Sequence, residues 1–204
     1  MRIAFACIDK NTIWAIDEVV SGLYSVNKKD FTVKCIIDSE RLFQYESFRP
    51  YGLFNWKKDY LVIVPFELHK NWVIYNKITG KVKYKKVVEE KCKGAFAGID
   101  EAENQAYFYP VTEEAPIIIV DLETLNCIRV IRVFDADVFE KNYTMAWKGI
   151  CSEKYILFPI RGTKYVVRLD YGSSQVKFLE SDIMEGINDI GFYSGELWAL
   201  PMNG

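Results

Sequence analysis

The chain has 204 residues, half of them hydrophobic and 15% aromatic, with 26 Lys and Arg against 28 Asp and Glu for a formal net charge of −2. That is enough apolar material for one domain with a sizeable core. The near balance of charge excludes the basic surplus by which a nucleic-acid binder neutralises phosphates, and no run approaches the roughly 18 apolar residues of a membrane-spanning helix.

In chain order the first candidate strands are Ala4-Phe-Ala-Cys-Ile8, then Thr12-Ile-Trp-Ala-Ile16 with Asp17 behind it, then Leu23-Tyr-Ser-Val-Asn27 and Phe31-Thr-Val-Lys-Cys-Ile-Ile37. The same four-part order returns with Gly52-Leu-Phe-Asn-Trp56, Leu61-Val-Ile-Val-Pro65, Trp72-Val-Ile-Tyr-Asn76 and residues 81–88. A third copy runs through Ala95-Phe-Ala-Gly-Ile99, Ala106-Tyr-Phe-Tyr-Pro110, Ile117-Ile-Ile-Val-Asp121 and residues 127–133. A fourth runs through Ala146-Trp-Lys-Gly-Ile150, Tyr155-Ile-Leu-Phe-Pro159, Val166-Val-Arg-Leu-Asp170 and residues 175–179. Gly191-Phe192 and Leu197-Trp-Ala-Leu-Pro201 begin a fifth copy.

Asp17, Pro65, Pro110, Pro159 and Pro201 thus recur every 42 to 49 residues, a period that marks an array of similar supersecondary units. Small residues in the first run of each unit suit a crowded inner strand. Asn or Asp at the end of the third run, as in Asn76-Lys-Ile-Thr-Gly80 and Asp170-Tyr-Gly-Ser-Ser174, is tight-turn chemistry. The fourth runs mostly alternate apolar and charged residues, as an outer strand with one wet face does, and no long stretch of helical period lies between the units. Four antiparallel strands per unit of this length predict an all-β fold, a β-propeller of four-stranded blades. The predicted blades are 1–40, 50–90, 94–135, 144–182 and 187–204, within one domain. The fifth holds only its first two strands, so the chain reads as four complete blades and the first half of another: either a portion of a larger propeller, or one that closes by an unusual route or pairs with another chain. An uncovered strand there predicts self-association.

No catalytic or ligand-binding signature stands out. Cys7, Cys35, Cys92, Cys127 and Cys151 are odd in number and form no Cys-x-x-Cys pair, so neither a disulfide framework nor a zinc site is expected. With a single histidine there is no multi-His metal centre, and no cofactor is expected. Residues 1–9 are too short and too soon charged for a secretory signal, which makes the cytoplasm the expected location.

Propeller topology puts the loop between a blade's second and third strands on the same face as the crossover to the next blade. Glu18, His69, Glu113 and Arg161 fall in such loops, with Arg41, Arg49 and Tyr51 in the aromatic-rich crossover at residues 38–51. These seven are the candidate binding residues, because loops carry binding groups on a rigid scaffold and Arg and Tyr dominate binding hot spots. The expected function is a non-enzymatic binding or scaffold module for a protein, peptide or carbohydrate. The alternative is a carbohydrate-active or other small-molecule enzyme using loop carboxylates such as Glu18, Glu67, Glu113 or Asp135. Trp14, Trp147 and Trp198 lie on inner or second strands and are expected in the core.

The unit of an apolar run ending in Pro or Asp, a loop, and a β-run into Asn76-Lys-Ile-Thr-Gly80 resembles bacterial β-propeller repeats of the broad Kelch, NHL and YVTN-like type. It lacks the Trp-Asp ending of WD40 repeats, the paired glycines of Kelch repeats and an Asn-His-Leu triplet. The resemblance implies a fold and no particular activity.

Overall fold

The computed structural model describes residues 3–17, 22–38, 40, 49–112, 115–133, 149–152, 154–173, 175–182 and 186–201. Among them lie eighteen strands in five antiparallel sheets, each sheet taking its strands in chain order. The first sheet is β1 (Ile3–Ile8), β2 (Thr12–Asp17), β3 (Leu23–Asn27) and β4 (Val33–Ile37). The second is β5 (Pro50–Trp56), β6 (Tyr60–Pro65), β7 (Asn71–Asn76) and β8 (Val82–Lys86). The third comprises β9 (Gly94–Asp100), β10 (Gln105–Pro110), β11 (Ile117–Asp121) and β12 (Asn126–Ile131). The fourth comprises β13 (Ile150–Cys151), β14 (Tyr155–Pro159), β15 (Tyr165–Asp170) and β16 (Val176–Glu180). A two-stranded sheet follows, β17 (Ile187–Tyr193) with β18 (Glu196–Pro201). These are propeller blades, four complete and half of a fifth among the described residues.

Local chemistry explains where the strands stop. Pro65, Pro110, Pro159 and Pro201 are each the last residue of a second strand, where a residue without an N–H ends the ladder at no cost in lost pairing. Asn27, Asn76, Asp121 and Asp170 each close a third strand. Asn76 Oδ1 accepts the N–H groups of Ile78 at 3.0 Å and Thr79 at 2.7 Å, and Asp121 Oδ1 accepts that of Thr124 at 2.7 Å. The turn then needs a left-handed residue: Gly80 takes it at φ 68°, and in the third blade Leu125 takes it at φ 53°. That conformation carries a steric cost for leucine, offset here by full burial of the side chain.

The chain packs as two compact units, Met1–Lys91 and Cys92–Gly204. In the first, Trp14, Ile16 and Leu23 of one blade meet Leu53, Leu61, Ile63, Val73 and Tyr75 of the next in a single apolar cluster. Each such side chain taken from water contributes about 1.5–3 kcal/mol. In the second unit the Tyr109 and Phe158 rings stack at 5.7 Å, and Gly149 makes room for them: a Cβ there would lie 3.0 Å from the Tyr109 ring. Leu157 and Val166 close on Ile187 and Ile190 of the fifth sheet.

Two sequence expectations change. Trp198 is 55% exposed rather than core, because β18 is the outer described strand of its sheet and has only β17 beside it. Tyr51 belongs to β5 and not to the preceding crossover, since the strand starts at Pro50, paired with Pro65. Trp14 is buried as expected, and Trp147 lies outside the described residues.

Candidate functional site

In the first unit, Arg49 stands one residue before β5, and its carbonyl accepts the Phe66 N–H at 2.7 Å, tying the strand entry to the β6–β7 loop. The Tyr51 ring, 5% exposed, packs 5.9 Å from Phe5 and 4.5 Å from Phe66. Over these rings lies the exposed Arg49 guanidinium, 5.4 Å from the Tyr51 centroid and 5.8 Å from that of Phe66, within the range of a cation–π contact. Among the described residues no carboxylate pairs with it.

The β6–β7 loop is held by its own bonds. Lys70 and Glu67 form an ion pair at 2.8 Å, the Lys70 N–H meets the Glu67 carbonyl at 2.9 Å, and Leu68 is fully buried while accepting the Trp72 indole N–H at 2.9 Å. His69 sits on this frame half-buried, with its Nδ1 shielded from water and without a hydrogen-bond partner. Such a nitrogen is an uncompensated polar atom, of the kind a ligand donor or acceptor satisfies.

In the second unit Arg161 occupies the β14–β15 loop, half-buried, and its Nε is likewise shielded and unpartnered. Here too the frame is tight: the Gly162 N–H meets the Ile187 carbonyl at 3.0 Å and the Ile187 N–H meets that of Thr163 at 2.7 Å. Glu18, Arg41, Glu113 and Asp135 lie outside the described residues. The structure therefore brings Arg49 and Tyr51 together and makes Tyr51 a packing residue beneath the arginine.

The opposite strand ends hold residues that the sequence reading passed over. Lys77, in the β7–β8 turn, bonds the Asp9 carboxylate of the preceding blade and Asn55 Oδ1 at 3.1 Å, while Asn55 Nδ2 donates to the Ile8 carbonyl at 3.0 Å. This clamp joins two blades. The Lys77 hydrogen bond is the main cause that holds the Asp9 carboxyl below its usual range, and a lesser pull comes from the Trp14 indole, whose N–H does not reach hydrogen-bond geometry. Burial pushes the nearby Cys7 thiol up to about 12, so it stays protonated and inert at neutral pH. In the fourth blade Arg168 and then Lys177 hold the Asp170 carboxyl low. Among the described residues no three His, Cys, Asp or Glu side chains gather as a metal ion would require.

This arrangement of four-stranded meanders defines a β-propeller, and solved structures bear that out. AztD from Citrobacter koseri, in its apo form, matches 92% of this chain and 49% of its own with a TM-score of 0.59 at 11% identity. A chain of a nidogen/laminin complex matches over 98% of this one and 72% of its own, TM-score 0.66 at 12% identity, and a chain of the mitotic checkpoint complex over 93% and 53%, TM-score 0.61 at 10%. At these identities the likeness is one of fold, and the chain spans about half the length of AztD. No protein-family model matches the sequence, and no curated protein is similar to it at the sequence level.

Proposed function

We propose that the chain is a non-enzymatic binding module that holds a protein or peptide at the loop face of its blades, with Arg49 as the leading contact. The observation that carries this reading is the posture of that side chain, exposed, laid over two aromatic rings and paired with no carboxylate among the described residues. A guanidinium already ordered on aromatics loses little entropy on binding and presents a planar fork of donors that fits a carboxylate. Sugar stacking is less suited, since the Tyr51 ring is buried. Two of the structural neighbours come from protein assemblies by name, which accords with a protein-holding role. The enzyme alternative gains no support from Glu67, which is engaged by Lys70. A second copy of the chain is a further partner under this reading: β18 pairs only with β17 among the described residues and exposes Leu197, Trp198 and Leu200, and such edges recruit strands.

The test is a nuclear magnetic resonance titration of the labelled chain with acetyl-Asp-Glu-amide and, as control, acetyl-Asn-Gln-amide. Shifts centred on Arg49, Phe66 and His69 are expected with the acidic peptide alone and are lost in Arg49→Ala. Equal shifts with both peptides, or binding undiminished by that substitution, would remove Arg49 from the site.

A further inference from the structure

The first pair of blades and the third and fourth carry the same turns, yet they are joined differently: Lys77 reaches a carboxylate of the neighbouring blade, whereas Arg129 of the third blade donates only to the Ser173 carbonyl of the fourth, at 3.4 Å. The residue after each third strand donates its N–H to the first turn of the same blade: Lys28 to Asn11, Lys77 to Asp59, Leu122 to Asn104 and Tyr171 to Lys154, all at 2.8–3.0 Å. Tyr171 therefore holds in the fourth blade the backbone position that Lys77 holds in the second. Asp100 correspondingly holds the position of Asp9, each following a Phe-Ala-x-Ile run, Phe5 to Ile8 and Phe96 to Ile99. By strand register Cys151, opposite Ile156, stands where the second blade has Asn55, opposite Leu61, and the hydroxyl of the following Ser152 is engaged within its own turn by the N–H groups of Lys154 and Tyr155 and the Tyr155 carbonyl.

With Tyr171 in the place of Lys77, the second unit keeps an open cavity of about 330 Å³ lined by Asp100, Ala102, Glu103, Lys154, Tyr171 and Gly172. We propose that this cavity receives the ammonium or guanidinium of a lysine or arginine presented by a partner protein, in the place that Lys77 fills from within the chain in the first unit. The volume lies at the lower end of the range for ligand sites.

Asp100 supplies the strongest attraction. It is 5% exposed, and its Oδ1 already accepts the N–H groups of Ala102 at 3.0 Å and Glu103 at 3.4 Å, while among the described residues no donor meets Oδ2. That oxygen is not among the buried unpartnered atoms, so the attraction is the charged hydrogen bond an incoming cation makes to a carboxylate whose residue is otherwise 5% exposed. Glu103 adds an exposed second carboxylate, and among the described residues no cation engages it. Tyr171, its ring 4.8 Å from that of Tyr107, provides an aromatic wall of the kind cations favour. Gly172, at φ 72° with nothing within 4 Å of a built Cβ, leaves the mouth open. Within the second unit the cavity lies at the strand ends away from the Arg161 loop.

The experiment titrates the labelled full chain with Nα-acetyl-lysine methylamide and with Nα-acetyl-norleucine methylamide, its uncharged counterpart. The lysine probe should shift the amides of Asp100, Ala102, Glu103, Lys154, Tyr171 and Gly172, and the norleucine probe should not. Asp100→Asn keeps an oxygen for the turn and should weaken binding about tenfold, as loss of a charged hydrogen bond does. Tyr171→Lys rebuilds the clamp of the first unit, and should abolish binding while raising the unfolding midpoint. Should Asp100→Asn fail to fold, Glu103→Gln on an exposed side chain must still lower the affinity. No shift with the lysine probe, equal shifts with both probes, or full affinity in Tyr171→Lys would overturn the proposal.

Discussion

Replacing Lys77 by methionine keeps the apolar stem and removes the ammonium that bonds Asp9 and Asn55 across the first two blades. The Lys77 side chain is only 8% exposed, so its two bonds are made largely out of water, whereas the Asp9 side chain is 39% exposed and will be partly rehydrated once the partner is gone. Charged hydrogen bonds contribute about 1.5–3 kcal/mol when buried and exposed pairs much less, so a loss of about 1–2 kcal/mol at pH 7 is expected. Native-state hydrogen exchange at the β1 and β6 amides isolates the first unit, where that loss appears as roughly 5–30-fold faster exchange. The effect has a definite pH sign. Because the folded Asp9 carboxyl is held below its usual value, its contribution is fully present above about pH 4 and is lost as pH falls through the lowered folded value. The difference between the wild type and Lys77→Met should therefore close in acid. A difference that persists undiminished at low pH, or none at pH 7, would show that the pair does not join the blades energetically.

Gly186→Ala should be among the most damaging small substitutions: φ is +81° there, and the new Cβ would lie 2.6 Å from the backbone carbon of Gly162. Left-handed strain alone costs about 1–3 kcal/mol, so the melting temperature should fall by several degrees, and an unchanged one would mean that the two loops can part freely. The β18 edge should make the chain self-associate in light scattering, and Trp198→Lys should reduce this, since charge on an edge opposes strand addition. A clean monomer at high micromolar concentration would mean that the edge is not a docking strand.

Strand ends were legible because single residue types decide them. Proline cannot donate to a ladder and Asn or Asp can close a turn with its own oxygen, so Pro65 and Asn76 mark boundaries wherever the surrounding chain lies. The burial of Tyr51 was not legible in the same way. Its place depends on Phe5, 46 positions earlier in the chain, and on Phe66 in the next loop, contacts that no local pattern encodes. Trp198 shows the converse: apolar periodicity marks it as core, and only the count of neighbouring strands decides whether anything covers it.

The same repetition that makes the fold readable hides the chemistry. Likeness between copies, such as Phe-Ala-x-Ile before both Asp9 and Asp100, reports what every blade needs in order to pack. Differences between equivalent positions report what one blade does that another does not, and they can be interpreted only after the backbone bonds establish which positions are equivalent. Lys77 and Tyr171 look unrelated in the sequence, yet their N–H groups meet equivalent turn carbonyls in the second and fourth copies. One side chain closes the gap between its blades, and the other leaves Asp100 facing open space. In a repeat protein, such paired positions are where specificity is most directly sought.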